Sequence, residues 1–219
     1  KFSETCTARV RELLEEKGYQ AVPFSATGPG ERIMERMVEK GYLRGVIDVV
    51  PAGLSEAILG GNRASGLDRL DKELASGFPV ILTPCGFDML SCGPYDRKDT
   101  DPLWKQKRLA QRKLFIPDRF RVQARTSRKE VELVARVFAE KLNKSKSMVF
   151  VFIPLLGFSS LSKAGGPLFD PQTDRAFVRI FANSIKGDKV EIIALNNTID
   201  DPEFADAMVE KFLQLFQGI

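Results

Sequence analysis

Apolar positions along the chain follow two spacings, one typical of amphipathic helices and one typical of buried strands. The clearest helical segment is SRKEVELVARVFAEKLN at 127–143, in which apolar residues recur every three or four positions and Ser127 and Glu130 form a capping box. The strand-like segments, such as SMVFVFIP at 147–154, are short and almost continuously apolar. Short apolar strands that alternate with amphipathic helices predict a parallel sheet with helices on both faces.

The two spacings together predict the order of the elements. Helices are predicted over 3–17, 30–40, 53–61, 67–77 and 127–143, and two more begin at Asp170–Pro171 and Asp201–Pro202. Strands are predicted over 19–24, 43–50, 78–84, 147–154 and 190–195, with a further short strand within 114–123. The stretch from Cys85 to about Lys113 is predicted to be a long loop. The sequence therefore predicts a single three-layer, Rossmann-like α/β domain over residues 1–219, with a mostly parallel sheet.

The predicted order has one irregularity at its start. The first element is a helix, whereas a βα domain normally begins with a strand. Lys1–Phe2 has the character of the tail of such a strand. We therefore predict that the chain is one domain of a longer protein, and that the first strand of this domain lies before residue 1.

The composition excludes several classes of protein. With 43% hydrophobic and 28% charged residues the chain can form a full core, and its apolar runs are shorter than the roughly 20 residues that span a bilayer. The sequence contains no histidine, which excludes a Ser-His-Asp triad, a Cys-His dyad and zinc sites with histidine ligands. Its three cysteines cannot all pair with one another, so a reducing, cytoplasmic location is predicted.

The net charge of +4 is modest but unevenly distributed. Ten cationic residues lie between Trp104 and Glu130, and we call this segment the basic stretch. They are Lys105, Lys107, Arg108, Arg112, Lys113, Arg119, Arg121, Arg125, Arg128 and Lys129. The basic stretch is either a solvated excursion or a surface for a phosphate-bearing ligand, an acidic partner or nucleic acid. Because no nucleic-acid module motif accompanies it, nucleic acid is the less favoured partner.

In an open parallel sheet, ligands bind beyond the carboxyl ends of the strands, so the loops after strands are the informative ones. The first is Ser25–Gly30, in which Thr27 offers a hydroxyl while Gly28 and Gly30 let the backbone approach a ligand. The N-terminus of the following helix favours an anion. The loop lacks the third glycine of the dinucleotide fingerprint and the GK[ST] of a P-loop. It is therefore either a phosphate-binding turn or a simple tight turn.

The second loop, GGNRASGLDR, combines glycines with an arginine. Gly60, Gly61 and Gly66 flank Arg63 and Ser65. An arginine beside a Gly-Ser turn suits a phosphate or a carboxylate. A structural connection between two helices would have the same composition, and both interpretations stay open.

Two further loops follow strands. CGFDMLSCG supplies Gly86 and Asp88, and the aspartate either orients a ribose hydroxyl, binds Mg²⁺ through water or caps a helical turn. PLLGFSSLSKAGGPLFDP supplies Gly165 and Gly166 and is predicted to be a flexible, ligand-contacting loop. Asp48 lies within an apolar strand, so we expect it to lie near the strand end, to be hydrogen-bonded or to serve a site.

Taken together, these segments resemble a known family. FSATGPGERIMERMVEKGYLRGVIDVV, GLSEAILGGNRASGLDRLDKELASGFPVILTPCGFDMLSCGP and GGPLFDPQTDRAFVRIF are similar, in order and spacing, to the C-terminal half of a family of uncharacterised bacterial and archaeal proteins. That family is related to the ATP-binding, helicase-inhibiting N-terminal domain of the tobamovirus resistance protein of tomato. The resemblance implies two Rossmann-like subdomains, with an N-terminal subdomain as partner of this one, a homodimer, and ATP with Mg²⁺ as ligands.

The resemblance also assigns positions. An ATG-x-G turn of the family matches Thr27, Gly28 and Gly30, and its GG…G-x-DR stretch matches Gly60, Gly61, Gly66, Asp68 and Arg69. A glycine–x–aspartate matches Gly86 and Asp88. A GGP loop matches Gly165, Gly166, Pro167 and Asp170. The chain departs from the family's polar residues at Ser25, at Val50–Gly53, around Pro117–Arg119 and at Leu156.

Three functions follow as hypotheses. The first is a nucleotide- or phosphate-binding domain whose ligand contacts come from the four loops. The second is an enzyme, a hydrolase or ligase for a small phosphorylated or carboxylated substrate, with Asp48 or Asp88 as base or metal ligand. The third is a protein- or RNA-interaction module that uses the basic stretch. The first hypothesis requires the four loops to gather at one edge of the sheet.

Overall fold

The computed structural model describes residues 2–216 and contains two sheets. The strands are β1 (Val46–Asp48), β2 (Val80–Leu82), β3 (Met89–Ser91), β4 (Leu114–Asp118), β5 (Arg121–Arg125), β6 (Val149–Pro154) and β7 (Val190–Leu195). A parallel sheet has the order β1-β2-β6-β7, and an antiparallel sheet has the order β3-β5-β4. The parallel strands are in register, so that Val46, Val80, Val149 and Val190 form one row. The predicted α/β class with a mostly parallel sheet is confirmed.

Helices connect the parallel strands as the sequence predicts. They are α1 (Glu4–Glu16), α2 (Pro29–Glu39), α3 (Ala52–Leu59), α4 (Asp71–Ala75), α5 (Pro102–Lys107), α6 (Arg128–Leu142), α7 (Pro171–Ser184) and α8 (Pro202–Phe216). The capping box of Ser127 and Glu130 is present at the start of α6, and Asp170 caps α7. Within residues 2–216, no helix is long and apolar enough to cross a membrane.

The helices form a layer on each face of the parallel sheet. Alternate strand residues point to opposite faces, as Leu82 and Ile81 do in β2. The face of Leu82 packs against α3, α4, α6 and α7, and α2 packs beside them on Val46. The face of Ile81 packs against α1 and α8. This is the three-layer arrangement that the sequence predicts.

The antiparallel sheet corrects two details of the sequence prediction. The stretch 85–113 is not one loop, because it contains β3 and α5. The short strand predicted within 114–123 is instead a hairpin of β4 and β5. Its turn forms because the Asp118 carboxylate accepts hydrogen bonds from the backbone N–H groups of Phe120 and Arg121, at 2.9 and 3.0 Å.

The strand predicted over 19–24 is wrong. This segment has no regular secondary structure and pairs with no strand among the described residues. Its apolar residues still meet the core, since Phe24 packs against Met34 and Val38 of α2. A short apolar segment predicts a strand only where a neighbouring strand can accept its hydrogen bonds.

Candidate functional site: a cleft at the carboxyl edge

A cleft of about 910 Å³ lies beyond the carboxyl ends of three neighbouring parallel strands, and we call it the carboxyl-edge cleft. Its lining includes Val50 and Ala52 after β1, Gly86 after β2 and Leu161 after β6. One face of the antiparallel sheet, with Gln123 of β5, forms the opposite wall. This is where ligands bind in open α/β sheets.

Three of the four predicted loops bring a predicted site residue to this cleft. Thr27 of the first loop, Arg63 of the second and Gly86 of the third line it. The fourth loop reaches the cleft only through Leu161, whereas Gly165 and Gly166 lie outside the lining. Gly28, Gly30, Gly60, Gly61, Ser65, Gly66 and Asp88 also lie outside the lining.

The first loop holds an anion of its own. Glu31, in the first turn of α2, directs its carboxylate back to the helix N-terminus and accepts hydrogen bonds from the N–H groups of Gly28 at 3.1 Å and Gly53 at 3.0 Å. The Ser65 hydroxyl also donates to this carboxylate. The position that a phosphate would take at the N-terminus of α2 is therefore filled by a side chain of the protein.

The glycines of this loop allow the chain to fold closely on itself. Gly28 has a φ of +71°, in the left-handed region. A Cβ on Gly30 would overlap the backbone of Ser25. Ser25 and Thr27 are the exposed polar residues here, and their hydroxyls hydrogen-bond to each other at 2.9 Å.

The second loop ends in a buried cation. Arg69 is 0% exposed and contacts four carboxylates from three elements, a group that we call the Arg69 cluster. Its acidic members are Glu31, Glu35, Asp48 and Glu73. One guanidinium cannot neutralise four ionised carboxylates, and burial raises the pKa of Glu35 and of Glu73. The cluster joins α2, β1 and α4 beneath the loop and is sealed from the cleft.

The two aspartates considered as bases are both engaged in the structure. Asp48 lies at the end of β1, where its carboxylate accepts from Arg69 and, at 3.1 Å, from the N–H of Val50. Asp88 is fully buried and accepts from the N–H of Gly86 at 3.1 Å and from the hydroxyl of Ser159. Asp48 is thus hydrogen-bonded at a strand end, as expected, and Asp88 caps the turn after β2.

Cations and aromatic rings both line the carboxyl-edge cleft. Arg11 of α1, Arg63 of the second loop and Arg121 of β5 are the lining arginines. The guanidinium of Arg63 lies 6.0 Å from the ring centroid of Phe2, which in turn packs edge-on against Phe115 at 6.1 Å. The cleft therefore combines charge-assisted donors with an apolar aromatic wall.

Two helices begin at the cleft. Ser3 and Glu4 of the α1 N-terminus and Ala52 of the α3 N-terminus line it. In the part of the chain that the structure describes, the backbone N–H groups of these three residues make no hydrogen bond. The N-terminus of α1 and the N–H of Ala52 thus keep donors for a ligand, whereas the next N–H of α3, that of Gly53, is already bound by Glu31.

Glu56 of α3 is the buried carboxyl group of the cleft wall. It is 2% exposed, and its Oε1 accepts from the N–H of Ser91 at 2.9 Å, while its Oε2 has no hydrogen-bond partner among the described residues. Burial raises the pKa of Glu56 from 4.5 to about 7. A Cβ at position 61 would overlap this carboxyl, which explains the glycine there.

The basic stretch is largely neutralised within the protein. Five of its ten cations form ion pairs, namely Lys107, Arg112, Arg121, Arg125 and Arg128. Lys113 donates to the backbone carbonyl of Phe169. These contacts tie α5 to α6 through Glu130 and the hairpin to α7 through Asp174, so half of the charge is used to hold this region together.

Sequence reasoning missed several residues of the cleft. Arg11 and Glu56 lie on helices, and the helical pattern of their neighbours does not show that they face a cleft. Gln123 and Ser91 belong to the antiparallel sheet that was not predicted, and they hydrogen-bond to each other at 2.9 Å. The one available signal was Glu56, a lone carboxylate in the otherwise uncharged helix AGLSEAIL.

No group of three or more Asp, Glu, Cys or His side chains in the described residues is arranged to hold a metal ion. The residues present therefore do not fit a cation held by the protein alone.

The fold and the cleft define a Rossmann-like α/β domain. Residues 2–216 match the C-terminal domain of the uncharacterised protein family UPF0261, and the chain belongs to this family. A UPF0261 protein of Clostridium tetani is 32% identical over 207 residues, which cover 94% of this chain and 50% of that protein. The ToMV resistance protein Tm-1(GCR237) of Solanum lycopersicum is 32% identical over 211 residues, which cover 96% of this chain and 27% of that protein. The chain thus spans about half the length of the bacterial relative.

Proposed function

We propose that the carboxyl-edge cleft binds a nucleotide, with ATP as the first candidate. The observation that carries this proposal is the meeting of Arg11, Arg63 and Arg121 with the N-terminus of α1 and the N–H of Ala52 in one cleft. Arginine forks and helix N-termini both hold phosphates in proteins. Both are present here on the same side of the sheet.

The size and the chemistry of the cleft support a nucleotide over a bare phosphate. Its volume of about 910 Å³ falls within the range of small-molecule and cofactor sites. Phe2 and Phe115 provide an apolar wall for a base, and Ser25 and Thr27 provide hydroxyls near the arginines. Mg²⁺ would be bound by the phosphates, since residues 2–216 supply no carboxylate cage.

A calorimetric titration of the complete gene product with Mg·ATP tests this proposal. We expect Arg63→Ala to weaken binding by roughly 10-fold or more, because a charge-assisted hydrogen bond contributes about 1.5–3 kcal/mol. Arg119→Ala is the matched control: this exposed arginine lies over the ring of Phe120 on the hairpin and lines no part of the cleft.

Three ligands separate the parts of the site. Inorganic triphosphate and adenosine, each used alone, report the phosphate and base halves, and both are expected to bind more weakly than ATP. Absence of heat with ATP at millimolar concentration, or equal losses in the two arginine variants, would overturn the proposal.

A second candidate function is acid–base catalysis on the bound ligand, and Glu56 favours it. A carboxyl group with a pKa of about 7 is poised to exchange a proton near neutral pH. Measurement of phosphate release from ATP, by the protein and by Glu56→Gln, tests this function. Equal release rates in the two proteins would remove Glu56 from any reaction.

We also infer that the complete protein has a second α/β subdomain, because half of the bacterial relative lies outside the matched region. Homodimerisation and a cytoplasmic location stay predictions. Sedimentation of the complete gene product would test the first of them.

A further inference from the structure

A cavity of about 520 Å³ separates β1 from the unpaired segment 20–24, and we call it the strand gap. β1 is the edge strand of the parallel sheet, and its outer side pairs with no strand of the described residues. The backbone groups of residues 20–24 likewise make no hydrogen bond within residues 2–216. Two unpaired lengths of backbone therefore border the same gap.

The strand gap has the walls of an internal strand position. Leu14 of α1 and Phe212 of α8 line one face, and Met34 of α2 lines another. The lining extends from Arg44 before β1 to Val50 after it, the whole length of that strand. With helices on both faces, an occupant has to be apolar on both sides, which is the character of a buried parallel strand.

The position of Phe2 shows where such an occupant would end. Ser160, in the loop after β6, donates from its N–H and from its hydroxyl to the Phe2 carbonyl, both at 3.0 Å. Phe2 is thus fixed at the carboxyl edge of the sheet. From there α1 runs back along α8, to which Arg9 is bound by an ion pair with Asp206 at 2.8 Å.

We propose that the strand gap is the position of one further strand of the parallel sheet, supplied by the part of the polypeptide that precedes Phe2. This strand would run parallel to β1, end at Phe2 and lead directly into α1 as a βα unit. The bacterial relative supports this occupant, since the matched region covers only 50% of its length. Residues 20–24 would then become a strand on the far side of the new one.

The further strand would also complete the carboxyl-edge cleft. The sheet order would become residues 20–24, the new strand, β1, β2, β6 and β7. From the new strand, the next strand in sequence would be added on one side and all later strands on the other. The order in which strands are added would thus reverse between the new strand and β1. Ligand crevices of open α/β sheets form at this reversal, and the cleft lies at the carboxyl end of the same gap, next to Ser25 and Val50.

Pro23 fixes the register of this arrangement. Proline in a strand is tolerated at an edge, with its missing N–H on the solvent side. Because alternate residues of a strand direct their N–H groups to opposite sides, Val22 and Phe24 then donate into the strand gap, whereas Ala21 does not. Of the three amides at positions 21, 22 and 24, the proposal thus predicts that the last two are protected from exchange and the first is not.

Hydrogen exchange in the complete gene product tests the proposal. We expect the amides of Val22 and Phe24 to exchange at least ~100-fold more slowly than in an unstructured peptide, and the amide of Ala21 to exchange much faster than either. A matched pair of variants gives a second readout. Val22→Pro removes an inter-strand hydrogen bond and lowers the melting temperature, whereas Ala21→Pro leaves it nearly unchanged.

Three results would overturn the proposal. The first is a complete gene product without residues before Lys1. The second is equally fast exchange of all three amides, with equal effects of the two prolines. The third is protection that rises with protein concentration, which would assign the strand gap to a second copy of the chain. None of these measurements involves a nucleotide, so the result is independent of the proposed function.

Discussion

The Arg69 cluster and the carboxyl-edge cleft are built from the same two glycine-rich loops, yet they differ in what satisfies their charges. In the Arg69 cluster, the arginine is fully buried and every contact comes from the protein itself. In the cleft, Arg63, six residues earlier in the same loop, is half-buried beside Phe2 and faces an open space. One loop thus carries one structural arginine and one arginine available to a ligand.

This difference shows why a glycine-rich turn before a helix does not by itself identify a phosphate site. The N-terminus of α2 attracts an anion, as the sequence predicts, but the anion is Glu31. The N-terminus of α1 follows no glycine-rich loop and nevertheless opens onto the cleft. A sequence reports that an anion is favoured at a helix end, and the structure decides whether that anion is internal.

The strongest test of the comparison is to remove each arginine in turn. Arg69→Met leaves four carboxylates without their cation in a buried site, and we expect a loss of about 3–5 kcal/mol in the free energy of unfolding. Arg63→Met is the matched control and is expected to change stability by less than about 1 kcal/mol. Urea unfolding of both variants measures these values. Similar losses in the two variants would erase the distinction between the regions.

A smaller change in the free energy of unfolding is expected from pH. It distinguishes the proton on Glu56 in the cleft from those on the carboxyl groups of the Arg69 cluster. The pKa of Glu56 rises from 4.5 to about 7 on folding, so the folded state binds its proton more tightly. Its contribution to stability is therefore fully present below pH 4.5 and is lost as pH rises to about 7, a change on the order of 3 kcal/mol.

The variant Glu56→Gln has no such proton to lose. We expect its stability to fall less between pH 5 and pH 8 than that of the unchanged protein, as measured by urea unfolding at both pH values. The remaining fall belongs to Glu35 and Glu73 of the Arg69 cluster and to Asp174, whose pKa values burial also raises. An identical fall in both proteins would show that Glu56 is ionised in the folded state.

The third prediction concerns the anion at α2. Glu31→Gln keeps the shape of the side chain but removes the charge that Gly28, Gly53 and Arg69 bind, and we expect a loss of about 2 kcal/mol in stability. Affinity for ATP is expected to stay unchanged, because the first turn of α2 does not hold the ligand. A gain in affinity for inorganic phosphate would show that this helix end is a ligand site which Glu31 blocks.

The sequence predicted features that depend on contacts between residues close together in the chain, and it missed features that depend on contacts between distant segments. Helix ends were predicted well, because a capping box such as that of Ser127 and Glu130 lies within four residues. The segment 19–24 was predicted wrongly as a strand, because strand formation requires a partner elsewhere in the protein. The hairpin of β4 and β5 was hidden by its charged residues, because their partners, Asp118 in the hairpin and Asp174 in α7, are reached only after folding.

The residues of the candidate site fall into the same two groups, those that the sequence could identify and those that it could not. Thr27, Arg63 and Gly86 could be found because they follow predicted strands or glycine turns. Arg11 and Arg121 could not, since their place at the cleft depends on how α1 and the hairpin pack against the sheet. Local patterns found the loops, and only tertiary packing showed which side chains in them face the cleft.

The smallest predicted effect concerns an exposed ion pair that lies just outside the Arg69 cluster and links the same two segments. Arg32 of α2 binds both carboxylate oxygens of Asp68 at 2.7 and 2.8 Å, but the two side chains are 42% and 62% exposed. Solvent screens such a pair, so we expect Arg32→Ala to lower the free energy of unfolding by at most about 1 kcal/mol, with the loss shrinking further in high salt. Urea unfolding at low and high salt measures both values. A loss as large as that of Arg69→Met would mean that burial is not what distinguishes the Arg69 cluster, and that α2 is held to the second loop by its surface charges.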